Sequence, residues 1–161
     1  MAKQAETAPV YGTTPVDVVK KLSGLEFMRG LAEGKYPGPT IARALDFRLV
    51  EVGPGLAIFE GTPDDRFFNP LGFVHGGYAA TLLDSCMGCA CHTTVAAGMG
   101  FTTLEIKVNY TRAMNAQTGL VRAEGRVINP GRQVITAEGK IVDAAGKLLA
   151  HGTTTCMAFP L

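Results

Sequence analysis

The sequence predicts an α+β fold in which a curved antiparallel sheet wraps around one long central helix. Two observations lead to this fold class. Apolar residues fall on nearly every side of segment 77–97, which is typical of a helix surrounded by protein. Segments that alternate apolar and polar residues lie on both sides of it, two before and four after, and Gly- and Pro-containing turns separate them. This order favours helices on one face of an antiparallel sheet.

The N-terminal part of the chain predicts a helix over 16–35. It follows Pro15 and carries a broadly helical stripe of apolar residues, although Gly24 and Gly30 weaken its regularity. We expect residues 1–15 to be flexible. The whole chain, 1–161, is about one domain in length, with a core over 45–158.

The first two strands are predicted on either side of a turn at Gly53-Pro54-Gly55. Leu45, Phe47 and Leu49 alternate with polar residues before it, and an apolar run over 56–60 follows it. A polar loop then leads to the start of the long helix.

Four further strands are predicted after the helix. Alternation is clear in 104–110 and 121–127. Turn sequences then lead into 133–142 and 148–159, which completes a run of hairpin-linked strands.

The composition limits the classes of partner. The 161 residues carry a formal net charge of +1, with 47% hydrophobic and 18% charged residues. Because no strong basic field is available for nucleic acid, we expect a small ligand held by a few residues. No run of about 18 apolar residues predicts a membrane span, and no apolar segment typical of a secretory signal opens the chain. We therefore expect a cytoplasmic protein with no membrane partner.

The four cysteines do not form the pattern of a disulfide framework. Cys86, Cys89 and Cys91 lie together in the predicted helix, and Cys156 lies near the C-terminus. On a continuous helix Cys91 points away from Cys86 and Cys89, so core thiols are favoured over a zinc site with His92. We expect no metal ion.

Asp84 is the most informative residue of the long helix, because a carboxylate among apolar residues needs a partner or a task. Helical spacing places it in a strip of polar or small residues that includes Thr81, Ser85, Gly88 and His92. A structural acid that pairs with an arginine or caps a neighbouring loop is the alternative. The glycine at 88 indicates a close approach to the helix at that point.

The sequence His75-Gly76-Gly77 marks the start of this helix. Free backbone N–H groups and the positive end of the helix dipole stabilise a developing negative charge there, and glycine permits a substrate carbonyl to approach. Eight residues separate Gly76 from Asp84, about 12 Å along a helix. If both act on one reacting carbon, they must come from two subunits related by a two-fold axis.

Asn69, His75-Gly76-Gly77, Asp84 and segment 102–110 (TTLEIKVNY) together resemble the PaaI-type thioesterases, the phenylacetyl-CoA thioesterase group of hot-dog fold proteins. The resemblance covers about residues 45 to 158. It implies a hydrolase acting on acyl-CoA without a cofactor, in a homo-oligomer whose active site spans two subunits. A dimer and a homotetramer built as a dimer of dimers both satisfy that requirement.

The resemblance also implies roles for single residues. The residue matching Asp84 acts as general base or nucleophile, and the one matching Asn69 positions water or substrate. The Gly76 N–H polarises the carbonyl, with Gly77 beside it. His75 braces the loop near the carbonyl, and the hydroxyl of Thr103 assists around the water. Some relatives carry a hydroxyl where Gly88 stands, and it helps to hold the acid or the water. In this chain the resemblance implies that Thr103 or Ser85 has that role.

Several alternatives stay open at this level. Arg112 and Arg132 occupy plausible strand-end positions for the CoA phosphates. His75 alone fits a hydrogen-bonded loop histidine, and Asn69 before Pro70 fits an ordinary turn residue. A hot-dog acyl-CoA hydratase and a non-catalytic acyl-CoA binding module are the rival functions. The aromatic residues near the helix start hint at an aryl- or medium-chain acyl group.

Overall fold

The computed structural model describes residues 9–161. These residues form four α-helices, six β-strands and one short 3₁₀ helix at Asp65–Phe67. The elements in chain order are α1 Val16–Val19, α2 Gly24–Ala32, α3 Thr40–Ala44, β1 Phe47–Gly53, β2 Leu56–Gly61, α4 Gly76–His92, β3 Met99–Tyr110, β4 Val121–Pro130, β5 Val134–Asp143 and β6 Leu148–Pro160.

The six strands form one antiparallel sheet in the order β1-β2-β4-β5-β6-β3. The chain leaves the sheet after β2, passes through α4 and returns as β3 at the far edge. Helix α4 contacts all six strands, so the sheet curves around it. The predicted α+β architecture with a long central helix is confirmed.

Small residues on the inner face of the sheet allow α4 to lie directly against it. Gly125 of β4 lies so close to the Cys86 carbonyl that a Cβ atom there would overlap it. At Gly139 of β5 a Cβ would lie 2.7 Å from the Cγ of Met87. Leu82, Leu83 and Met87 of the helix are fully buried as a result, and they belong to the hydrophobic core cluster.

The N-terminal region differs from the single helix expected over 16–35, since α1 and α2 are separate. Ser23 starts a new helix through a capping box: its hydroxyl accepts the Glu26 N–H at 3.3 Å, and its own N–H donates to the Glu26 carboxylate at 2.8 Å. Helix α3 was not predicted. Residues 1–8 of the segment expected to be flexible lie outside the described part, whereas Gly12 and Val10 bond to Gly38 through the backbone, each at 2.9 Å.

Helix α4 ends at His92, five residues before the Ala97 expected from hydrophobicity. The hydroxyls of Thr93 and Thr94 donate to the carbonyls of Ala90 and Cys91 at 2.6 and 2.7 Å, which satisfies carbonyls of the last turn. None of the helices in residues 9–161 is both long and apolar enough to span a membrane.

Candidate active site

The first turn of α4 presents one free backbone donor. His75 is the N-cap, and its Nδ1 accepts the Gly77 N–H at 2.9 Å. Since Nδ1 is an acceptor, the proton of the neutral ring lies on Nε2, and the His75 side chain is exposed. The Gly77 N–H is therefore occupied. Gly77 can assist a substrate only because it has no side chain to block its approach. The Gly76 N–H has no acceptor among the described residues.

One groove on the surface joins three of the predicted site residues. We call it the Arg112 groove; it has a volume of about 340 Å³ and contains Asn69, Gly76 and Arg112. Its wall includes Tyr110, whose hydroxyl donates to the Gly76 carbonyl at 3.1 Å and whose ring would contact a Cβ at Gly76. Tyr110 was only the last residue of the resemblance motif at the sequence level, and its contact with Gly76 could not be predicted there.

Asn69 organises the loop beside this groove. Its Oδ1 accepts the N–H groups of Leu71 at 2.9 Å and Phe73 at 3.2 Å. The side-chain oxygen of Asn69 therefore stabilises the turn, as the interpretation of Asn69 as a turn residue predicts. The amide nitrogen is left for a water or a substrate oxygen, so the turn role and the predicted positioning role are compatible in one side chain.

Asp84 lies on the open strip of α4, where Thr81 and Ser85 are also partly exposed. Its Oδ1 accepts the hydroxyl of Thr103 on β3 at 2.9 Å. Behind Thr103, the buried Cys156 sulfur lies 3.9 Å from the same hydroxyl oxygen. No ion pair involves Asp84 within residues 9–161, so the alternative of a structural acid held by arginine has no partner there.

Gly88 explains how β3 reaches the helix. A Cβ at this position would lie 3.0 Å from the ring of Phe101, and the Thr103 hydroxyl is 3.8 Å away. The close approach expected from the glycine is confirmed. This approach brings the Thr103 hydroxyl, from the neighbouring strand, to the same turn of the helix as Asp84.

The predicted residues thus form two half-sites in one chain. Asn69, His75, Gly76 and Arg112 lie at the start of α4, and Asp84 with Thr103 lies two turns further along. Arg132 is exposed in the turn between β4 and β5, at the end of the sheet opposite Arg112. The roles predicted for these residues stay predictions.

A second groove lies on the other side of the α4 start. We call it the aromatic groove; its volume is about 380 Å³. It is lined by Leu45, Arg66, Phe67, Phe68, His75, Gly77, Tyr78 and Thr81. The Phe67 and Tyr78 rings stack with centroids 5.1 Å apart. A further depression on the outer sheet face is as large, but it is lined by polar residues such as Glu124 and Lys140 and contains none of the predicted site residues.

The thiols of α4 are core residues. Burial raises the pKa of Cys86, and burial followed by the nearby Asp84 carboxylate raises that of Cys89 to about 12. Both therefore stay protonated at neutral pH. Within the described residues, no three His, Cys, Asp or Glu side chains converge as a metal ion would require. Burial lowers the pKa of His92 to about 4.

Comparison with known proteins places this geometry in a family. The model of the Thioesterase superfamily matches residues 71–150, which include both half-sites apart from Asn69. A Saccharolobus solfataricus protein named as an esterase is 32% identical over 108 residues, 67% of this chain and 75% of that protein. The chain belongs to the thioesterase superfamily. A 1,4-dihydroxy-2-naphthoyl-CoA hydrolase of Listeria monocytogenes is 26% identical over 115 residues, 71% of this chain and 92% of its own length.

Solved structures of this superfamily show the same fold. The phenylacetic acid degradation-related protein of Ralstonia eutropha superposes with a TM-score of 0.74 at 29% identity, over 81% of this chain and 98% of that one. A single-residue mutant of the phenylacetic acid degradation protein PaaI of Thermus thermophilus has a TM-score of 0.67 at 27% identity, over 73% of this chain and 97% of that one. The predicted hot-dog fold and PaaI-type resemblance are confirmed, and thioester hydrolysis is the activity that this family supports.

Proposed function

We propose that this protein hydrolyses aryl- or medium-chain acyl-CoA thioesters at a site formed by two copies of the chain. The free Gly76 N–H at the positive end of α4 carries the proposal, because it is suited to an oxygen that gains negative charge. The similarity to a 1,4-dihydroxy-2-naphthoyl-CoA hydrolase and to a phenylacetic acid degradation-related protein supports an acyl-CoA substrate.

The residues divide the reaction between them. The Gly76 N–H of one subunit binds the thioester carbonyl oxygen, and His75 braces the loop at the helix start by accepting the Gly77 N–H. Asp84 of the second subunit removes a proton from water as the water oxygen bonds to the carbonyl carbon. When the C–S bond breaks, the CoA sulfur leaves with the electron pair and takes up a proton. Direct attack by Asp84, followed by hydrolysis of the mixed anhydride, uses the same groups.

A second copy of the chain is needed because Gly76 and Asp84 are about 12 Å apart along one helix. Strand β3 provides a surface for it. This strand has 12 residues, pairs only with β6 and leaves its other edge open in the described structure. Leu104 and Tyr110 on it are 54% and 57% exposed. An unpaired edge of this length with apolar side chains is suited to pairing with a second copy.

Such pairing brings unlike half-sites together. With two β3 strands antiparallel, the Asp84 and Thr103 end of one subunit lies beside the Arg112 groove of the other. Arg132, at the far end of the sheet in its own subunit, then comes to the same side as the second subunit's Arg112. Both arginines are therefore proposed to bind the CoA phosphates. A cytoplasmic dimer or a dimer of dimers satisfies the arrangement.

Thiol release from a panel of aryl- and alkanoyl-CoA thioesters tests the proposal. The native protein is compared with Asp84→Asn, and Asp17→Asn, on the exposed surface of α1, is the matched acid-to-amide control. We expect release by the native protein and Asp17→Asn and its collapse in Asp84→Asn, with the same oligomer by gel filtration. Absence of thiol release combined with hydration of an enoyl-CoA would favour the hydratase, and tight binding without reaction would favour the binding module.

A further inference from the structure

Strand β3 changes its alternation part-way along its length. Phe101 and Thr103 are half-buried in its first part, and Ile106 and Val108 are half-buried in its second part. A regular strand turns every second side chain to the same face, so the odd-numbered and even-numbered residues would lie on opposite faces of the sheet. Phe101, Ile106 and Val108 nevertheless pack against the same core, and Thr103 bonds to α4. The strand must therefore contain an irregularity between positions 103 and 106.

That irregularity is a β-bulge at Leu104. Thr103 pairs with Cys156 of β6. Glu105 pairs with Thr155, the adjacent residue of β6, which leaves Leu104 without a partner in this ladder. A bulge changes the direction of the side chains on one side of it relative to those on the other. This bulge turns the Thr103 hydroxyl towards the helix, because a one-residue slip in the pairing would move it to the outer face of the sheet.

A buried hydroxyl of β6 holds the bulge. Thr154 is 2% exposed, and its hydroxyl donates to the backbone carbonyl of Glu105 at 2.7 Å. Because a bulge interrupts the regular ladder, a side-chain donor at this point fixes the carbonyl of the residue that follows the extra one. Thr154 lines neither the Arg112 groove nor the aromatic groove. It can therefore affect a substrate only through other residues.

We propose that Thr154 is a positioning residue for the thioesterase reaction, because it holds the bulge that aims the Thr103 hydroxyl at Asp84; this inference rests on the proposed function. The Thr103 Oγ1 lies 2.9 Å from the Asp84 Oδ1, and a hydrogen bond weakens steeply when its angle is lost. A change in the bulge therefore weakens this bond without removing either partner. Because Thr154 acts through Thr103, its contribution exists only while the Thr103 hydroxyl is present.

Thiol-release kinetics of Thr154 variants of the full chain test this role. Thr154→Val removes the hydroxyl but keeps the volume and the branching, and we expect kcat to fall about fivefold with KM unchanged. Thr154→Ser keeps the hydroxyl and should restore kcat. Thr93→Val removes another buried threonine hydroxyl that donates to a backbone carbonyl; as the matched control it should lower Tm alone. If Thr154→Val does not fold, Thr154→Ala carries the same expectation.

A double-mutant cycle distinguishes positioning from a purely structural role. Adding Thr154→Val to Thr103→Val should leave kcat at the value of Thr103→Val alone, because the hydroxyl that Thr154 aims is already absent. A purely structural role would lower kcat again in that background. The positioning role is overturned by that second loss, by a native kcat in Thr154→Val, or by an equal loss of kcat in Thr93→Val.

Crystal structures separate this inference from the proposed function, since they do not depend on turnover. The distance between the Thr103 Oγ1 and the Asp84 Oδ1 is compared in the native protein and in Thr154→Val. If the native protein releases no thiol but the variant loses this contact, the role of Thr154 in aiming Thr103 is supported and the thioesterase is rejected. If the native protein releases thiol and the variant keeps both the contact and the native kcat, the positioning role alone is rejected.

Discussion

His92 makes the stability of this protein depend on pH independently of catalysis. The side chain ends α4, is 8% exposed, and lies between the rings of Phe27 and Phe101 at centroid distances of 5.7 and 5.0 Å. A cation at a helix C-terminus is ordinarily favourable. Here burial outweighs that favourable interaction and lowers the pKa of His92 from 6.5 to about 4.

The sign of the effect follows from proton binding. Between these two pKa values the unfolded chain binds a proton at His92 and the folded chain does not. The contribution of the neutral His92 side chain to the free energy of unfolding is therefore fully present above pH 6.5 and is lost as the pH falls towards 4. The difference between the pKa values of His92 in the unfolded and folded chains corresponds to about 3 kcal/mol of unfolding free energy.

The substitution His92→Phe removes the titrating group and keeps an aromatic ring between Phe27 and Phe101. Urea unfolding at fixed protein concentration, followed by far-UV circular dichroism because the chain lacks tryptophan, gives the free energy at pH 7.5, 6, 5 and 4.5. We expect the native protein to lose stability relative to His92→Phe over this range, by about 2 kcal/mol at pH 5. Parallel pH dependences for the two proteins would refute the reasoning.

Three further predictions concern the half-sites and are measured by kcat, with Tm as the check on folding. Gly76→Pro removes the polarising N–H at a helix position that tolerates proline, and we expect kcat to fall by about 10²–10³; Gly76→Ala adds the same Cβ near Tyr110 but keeps the N–H, so an equal loss in both would contradict the role. Thr103→Val removes the hydrogen bond to Asp84 and is expected to lower kcat by about tenfold. Thr103→Ser should retain both the hydrogen bond and the native kcat. Equal rates in the two variants would show that this hydrogen bond does not contribute to catalysis. Asn69→Asp preserves the oxygen that accepts the Leu71 and Phe73 N–H groups but loses the amide donor, so Tm should hold while kcat falls by about tenfold; an unchanged kcat would leave Asn69 with the turn role alone.

Much of the fold could be predicted because it depends on local patterns. Alternation located the strands, and an apolar surface on all sides located the helix that the sheet surrounds. The ends of elements were less predictable, since they depend on single side chains. The Thr93 and Thr94 hydroxyls end α4 before the apolar run ends, and the Ser23 capping box divides the N-terminal helix.

The candidate site was predictable only in part, for a similar reason. Asp84 stands out because a carboxylate is unexpected among the apolar residues of a buried helix. Gly76 stands out because a glycine at the start of a helix lets a substrate approach the free N–H groups there. The contacts of Tyr110 with Gly76 and of Thr103 with Asp84 join residues distant in sequence, and no local pattern encodes them. The occupied state of the Gly77 N–H depends likewise on the rotamer of His75.

The shared active site is the central claim, and subunit complementation tests it most directly. Asp84→Asn and Gly76→Pro chains carrying different tags are prepared alone and by co-expression, and thiol release is measured for each. Each variant alone should release thiol at least about a hundredfold more slowly than the native protein. Random assembly should restore about a quarter of the native rate, because half of the pairs are mixed and each mixed pair holds one intact site of two. Mixed oligomers, verified by both tags, that release no thiol would contradict a site built from Gly76 of one subunit and Asp84 of another.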